Sequence, residues 1–210
     1  MAGAGGGGGI DSTALMTRLS ARIEDDSNQS FSTSQLSTIL DESAEWILSM
    51  LDIVYLSDFM DEVSSSLSNG SVSFTNLGIT TDTVIVAVQH NQVGEEPYFF
   101  DMMTYPEYVT KRGNEYFVGD PDHPILYTHL DKLYSDPIKT ASIKVKYLIT
   151  PSGLGTGATN LVFPIKLEEL LLDYAESKVW RMDNKNDRSA IALKSAMDQV
   201  QILNQKVGRA

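Results

Sequence analysis

Residues 143–181 read IKVKYLITPSGLGTGATNLVFPIKLEELLLDYAESKVWR, and the hydrophobic period changes within this stretch. Ile143, Val145, Tyr147 and Ile149 point one way while Ser142, Lys144 and Lys146 point the other. A period of two predicts a half-exposed strand. Ser152–Asn160 (SGLGTGATN) is too rich in glycine for either regular structure and reads as a loop. Beyond it, Leu167, Leu170, Leu171, Tyr174, Ala175 and Val179 recur at three and four residues. That spacing predicts an amphipathic helix, with Pro164 suited to its first turn. The chain thus passes from strand to helix across one glycine-rich loop.

Upstream of the strand the pattern stays β. Val72 and Phe74 alternate, and Thr83–Gln89 (TVIVAVQ) is apolar on both faces, as in a buried strand. Tyr98–Met102, Tyr116–Val118, Ile125–Leu130 and Leu133-Tyr134 are further candidates, separated by breakers such as Pro97, Pro106, Gly113 and Asp136-Pro137. Short strands at this spacing predict a small antiparallel sandwich or barrel. Before residue 70 the period is helical. Leu36, Ile39, Leu40, Ile47, Leu48, Leu51, Val54 and Tyr55 form a stripe, and no Pro or Gly interrupts Ser32–Leu67. This predicts one long helix or two in series, capped at Ser32, Thr33 or Ser34 and ended by Ser64-Ser65-Ser66 and Asn69-Gly70. A shorter helix is expected over Ile10–Asp25, with Leu15, Leu19 and Ile23 inward and Asp11 or Ser12 as cap. After a polar break at Asp183–Asp187, a last helix carries Ala190, Leu193, Met197, Val200 and Leu203 or Asn204.

The expected fold class is α+β. N- and C-terminal helices form one bundle, and an antiparallel β-sandwich or barrel-like domain is inserted between them. The divisions are a flexible Gly-rich arm (1–10), helices (11–69), the β insertion (70–151), the loop (152–163), and helices with a tail (164–210).

Composition narrows the function. The 210 residues carry 16 Lys+Arg against 28 Asp+Glu, a net charge of −12. Nucleic-acid affinity comes from neutralising phosphates, so a chain this acidic is a poor general binder of DNA. There is no cysteine, which excludes a disulfide scaffold, a thiol nucleophile and Cys-ligated zinc. No apolar run is long enough to span a membrane, and Met1–Gly9 lacks the basic and apolar regions of a secretion signal. The acidic excess lies mainly in the first hundred residues. Lys178, Arg181, Lys185, Arg188, Lys194, Lys206 and Arg209 gather in the last third.

Motifs for chemistry are weak. The glycine loop precedes a helix but lacks the Gly-Lys-Ser/Thr ending of a phosphate loop and sits in no βαβ unit. His90, His123 and His129 show no metal-ligand spacing, and Asp120-Pro121-Asp122-His123 reads as a surface turn. His129 falls in a strand pattern and reads as part of a packed face. Glu95-Glu96 and Glu168-Glu169 diverge as adjacent residues must, so neither pair is preset for acid–base work. Glu168-Glu169 instead suit the first turn of a helix. No Gly-x-Ser-x-Gly elbow occurs. Tyr98-Phe99-Phe100 with Tyr105 and Tyr108 suit a small core or an interface, with stacking on sugars or bases as the alternative. No catalytic residue, cofactor or metal is expected.

The order helical–β–helical, with IKVKYLITP (143–151), LVFP (161–164), LEELLLDYAESKVWR (167–181) and the polar turn 182–187, resembles the adaptor (head-completion, connector) proteins of tailed bacteriophages. The pattern covers roughly Ser32 to the C-terminus and is compatible with a crAss-like or podovirus-like virion. The resemblance implies a non-enzymatic virion protein, made in the host cytoplasm and placed at the head–tail joint. It implies a ring of twelve copies joining the portal to a downstream tail or ring protein. DNA then passes through the channel without specific binding. Twelve such chains carry on the order of −144 formal charges, which repel DNA phosphates. Contacts between copies or partners are then expected at Leu154 and Thr156 in the loop and at Gln205, Lys206 and Arg209 at the C-terminal end. Another neck or tail ring, such as a tail-completion or gatekeeper protein, is the nearest alternative. A carbohydrate-binding module built on the aromatic cluster is a more distant one.

Overall fold

The computed structural model describes residues 9–25, 30–91, 94, 96–113, 120, 124–156 and 163–207. It is mixed α and β, and the chain divides into two compact units. Met1–Phe59 and Thr150–Ala210 form the first, and Met60–Ile149 the second.

The first unit is helical. A short strand β1 (Gly9–Ile10) leads into α1 (Ser12–Arg22), whose cap is Asp11, with its carboxylate accepting from the Thr13 amide. Helix α2 (Thr33–Met50) starts at a reciprocal capping box between Ser32 and Gln35. A 3-10 segment (Ile53–Phe59) follows it. Of the remaining β-strands and α-helices, this unit holds β9 (Phe163–Pro164), α5 (Glu168–Met182) and α6 (Asn186–Val207). β1 and β9 pair antiparallel, so Gly9 and Ile10 are structured, while residues 1–8 of the expected arm lie outside the described residues. Pro164 ends β9, and a 3-10 turn (Ile165–Leu167) separates it from α5. The expected first-turn proline therefore stands before the helix.

Helix α5 packs on α1, α2 and α6, and its burial runs nearly all round. Leu170, Leu171, Leu172, Ala175, Val179 and Trp180 are all buried. The expected stripe was one face of this wider apolar surface. Helix α6 is rotated from expectation. Ser189, Ala192, Ala196 and Val200 are buried, whereas Ile191 and Met197 are exposed. Small residues let α6 approach α5 closely, and this selects their face over the one with larger side chains.

The second unit holds β2 (Met60–Leu67), β3 (Ser71–Ser73), α3 (Phe74–Leu77), β4 (Ile85–His90), β5 (Met102–Thr104), α4 (Tyr105–Arg112), β6 (Ile125–His129), β7 (Lys132–Asp136) and β8 (Ala141–Leu148). Two sheets form, in the orders β2-β8-β4 and β3-β7-β6-β5. All pairs are antiparallel except β5 with β6. The β8 prediction holds at Ile143 and Val145, which are fully buried, with Lys144 and Lys146 on the other face. They share a core with Leu67, Phe74, Val88, Leu126 and Leu133.

Three expectations need correction. Met60–Leu67 is a strand, paired along its whole length with β8, and not the end of a long helix. The run of three serines has little helical preference, and Val63, Ser65 and Leu67 alternate as a strand requires. Asn69-Gly70 is then a hairpin turn and not a helix stop: both residues have positive φ, and Ser68 and Ser71 exchange backbone hydrogen bonds. The β region therefore begins at residue 60, not 70. Finally, β4 is not buried on both faces, since Val84 just before it is 57% exposed and only Val88 and His90 in it are buried. Tyr116–Val118 lies outside the described residues.

The turn gives a direct test. Gly70 has φ +75°, and an added Cβ would lie 2.9 Å from Ile138 Cγ2 and 3.1 Å from Ile138 Cα. Gly70→Ala is expected to cost about 1–3 kcal/mol in denaturant unfolding. Unchanged stability would mean the turn does not set the β2–β3 connection.

Candidate functional site

The glycine loop reads as lacking a phosphate site, and its described part is docked on α2. Asp41, on α2, accepts the Gly153 and Leu154 amides, each at 2.8 Å. Ser37 Oγ donates to the Leu154 carbonyl at 2.7 Å. The Leu154 side chain is fully buried. Gly155 has φ +86°, and a Cβ there would come within 2.6 Å of Met16 Cε and 3.2 Å of Leu40 Cδ1. The amides that would cradle an anion are thus already satisfied by a carboxylate of the same chain. Leu154 is a core residue, so the expectation that it meets a neighbour is corrected. Burial removes its apolar side chain from water.

The other expected contact residues fare differently. Thr156 is exposed, with its hydroxyl donating to the Gly153 carbonyl at 2.8 Å. Gln205 and Lys206 are exposed near the end of α6. Arg209 lies outside the described residues. Just upstream of that end, Asn204 ties two elements together: its side chain donates to the Met50 carbonyl at 2.9 Å and accepts the Asp52 amide at 3.0 Å.

Charged groups serve the packing of helices. Glu168 is buried and pairs with Arg18, while Glu169 pairs with Arg18 and Arg22. Arg22 also meets Asp173 at 2.6 Å. Asp173 in turn accepts Ser195 Oγ at 2.5 Å and Gln199 Nε2 at 2.7 Å. The Glu168-Glu169 pair is thus engaged with arginines. Among the described residues, no three His, Asp or Glu side chains are grouped to hold a metal ion. Pro121, Asp122 and His123 of the expected surface turn lie outside the described residues.

The aromatic residues separate into two groups within the β unit. Tyr98 and Phe100 pack with buried His90, at ring distances of 4.7 Å and 6.1 Å from it. Tyr108, Tyr127 and Tyr134 stack in a column, at 4.0 Å and 5.4 Å between successive rings. Tyr105 lies 3.9 Å from His129, which accordingly sits in a packed face. The Tyr108 hydroxyl donates to Asp136 at 2.6 Å. Burial, and then this bond and the Asp136 charge, push the Tyr108 phenol well above its ordinary range. Burial and the charge of Asp136 also raise Tyr127; burial and Asp61 raise Tyr147. Sequence reading found Tyr105 and Tyr108 but missed Tyr127 and Tyr134. Their alternate placement on two paired strands was the available signal.

One cavity stands out in the helical unit. It measures about 410 Å³ and opens between the N-terminal half of α2 and the C-terminal half of α5, with Leu193 of α6. Ser32, Ser34, Gln35 and Thr38 line one wall, and Lys178, Arg181 and Met182 the other. Trp46 and Tyr174 stack at 3.9 Å on the same two helices. Sequence reading gave these residues no joint role, because they come together only when α2 meets α5.

Two measurements follow. Asp41→Ala leaves two loop amides without their acceptor, and should cost about 1–3 kcal/mol and speed proteolysis at 152–156. Unchanged stability and cleavage would show that Leu154 burial alone holds the loop. The raised tyrosines hold their protons in the folded state above pH 10, where the unfolded chain loses them. Their contribution is complete below that pH and is lost as pH rises further. Ultraviolet titration should show Tyr108, Tyr127 and Tyr147 ionising late, with falling stability; ordinary titration of these three would contradict it.

Among the described residues, no helix is long and apolar enough to cross a membrane. Compared with known proteins, the chain matches no protein-family model and no curated protein sequence.

Proposed function

We propose that this chain is a structural subunit of a ring at the head–tail joint of a tailed bacteriophage, an adaptor between the portal vertex and the tail. The observation that carries this reading is the division of the chain. Both ends contribute to one helical unit, and residues 60–149 form a β unit between them. In this reading the helices are a bundle that forms the ring body, and the β unit is an inserted sandwich or barrel-like domain. Hydrogen bonds at the sheet margins support the barrel-like description. Ser68 and Ser71 link β2 to β3, while Phe99 bridges to Gln89 and the chain then runs into β5. Each link joins an edge of one sheet to an edge of the other, which leaves less open edge for unwanted pairing.

The role is non-enzymatic, with no cofactor. Its partners are further copies in a ring of twelve, the portal protein, and a downstream tail or ring protein. DNA passes through the channel without being gripped, in keeping with a net charge of −12 per copy. Another neck or tail ring shares the same physical basis and differs in its docking partner. The carbohydrate-binding reading has less support: the tyrosines cover one another's faces, and Tyr108 is buried and bonded to Asp136.

Negative-stain microscopy of the purified chain, alone and mixed with the portal protein of the same genome, tests the proposal. A closed ring or an added layer on the portal is expected. Monomers that leave the portal unchanged would overturn it.

A further inference from the structure

The cavity between α2 and α5 offers few polar groups to a small ligand. Ser32 and Gln35 bond each other in the capping box. Thr38 Oγ donates to the Ser34 carbonyl, and Ser177 Oγ to the Tyr174 carbonyl. Lys178 pairs with Glu42. What remains is an apolar floor of Ile39, Leu193 and Met182 beside the Arg181 guanidinium. Met182 is 53% exposed, and among the described residues no carboxylate pairs with Arg181. The site therefore suits an apolar segment carrying acidic groups.

Such a segment lies beyond the other end of the same helix. In Asp52-Ile53-Val54-Tyr55-Leu56-Ser57-Asp58, Leu56 is buried and Asp58 pairs with Lys166 at 2.9 Å, which leaves exposed Asp52 as the acid beside Ile53 and Val54, 41% and 62% exposed. Asn204 fixes the Asp52 amide, so the start of the segment is held in place before any contact forms. α2 has 18 residues. The cavity lining reaches along α2 as far as Glu42, and at about 1.5 Å per residue roughly 15 Å of chain separates it from Asp52, so the segment lies outside the cavity of its own chain. A groove at one end and its complement at the other define a head-to-tail contact, which closes into a ring if the rotation allows.

We propose that Ile53 and Val54 of a second copy fill the cavity between α2 and α5, with Asp52 facing Arg181. This rests on the reading of the chain as a ring subunit and names the contact that would build the ring. The absence of native cysteine makes a clean test possible. Val54→Cys and Met182→Cys are prepared as separate full-length proteins, mixed at high concentration and oxidised. Both positions are exposed, so neither thiol should disturb packing, and unchanged circular dichroism verifies this.

The expected product is a mixed dimer linked 54–182, identified by mass spectrometry, in clear excess over dimers from either protein alone. Adding Arg181→Glu to the Met182→Cys chain should cut its yield at least about tenfold, because like charges at a contact are strongly disfavoured. Asp52→Lys in the Val54→Cys partner should restore it. No excess of the mixed dimer, or a yield insensitive to Arg181→Glu, would overturn the contact. Rings seen by microscopy without the 54–182 link would sink this contact and leave the ring reading standing. The link without closed rings would do the reverse.

Discussion

Asp173 is the point at which three helices are tied. One oxygen takes the Arg22 guanidinium from α1, and the other takes Ser195 and Gln199 from α6. The carboxylate is only 14% exposed, so it needs these partners. Leaving a largely buried charge short of a hydrogen-bond partner costs more than an exposed pair contributes. Around this point α5 buries leucines toward its neighbours. The apolar surface supplies most of the attraction, and Asp173 fixes which helix faces meet. The same constraint acts together with the close approach of small residues to set the rotation of α6. Ser195 and Gln199 must face Asp173, which turns Ala192, Ala196 and Val200 inward and leaves Ile191 and Met197 outside.

Much of the fold was legible where local pattern and tertiary need agree. β8 alternates because one face is core, and α2 is capped at Ser32, one of the three caps expected for it. The failures share a cause. Residues 51–59 continue the helical stripe of α2, yet Leu51 turns to extended backbone and the chain goes on to pair with β8. A partner some eighty residues away decided Met60–Leu67, and no local window contains that information. Asn69-Gly70 carried the right signal, but its meaning changes with the structure on its N-terminal side. After a helix it is a stop; after a strand it is a hairpin.

The candidate sites were less legible than the fold. The glycine loop reads from sequence as lacking a phosphate site, and the Gly153 and Leu154 amides are taken by the carboxylate of Asp41. Sequence spacing could not identify it, because Asp41 lies more than a hundred residues earlier. The same holds for the tyrosine column, whose members come from α4, β6 and β7. Such sites are made by tertiary packing and have no signature within a single segment. Resemblance in the order of elements says nothing about them.

Assembly of a chain with net charge −12 raises an electrostatic difficulty. Like-charged copies repel, but at physiological salt the screening length is about 8 Å. Charges farther apart than that hardly influence one another, so the sum over a whole subunit does not decide whether copies associate. The charges within a few ångströms of the contact decide it. Here the uneven distribution along the chain matters. Arg181 belongs to the basic last third, whereas Asp52 belongs to the acidic first half. A head-to-tail contact sets basic against acidic at every junction while leaving the total charge unchanged. In the proposed ring, such an arrangement would reconcile local attraction between copies with a lumen repulsive to DNA.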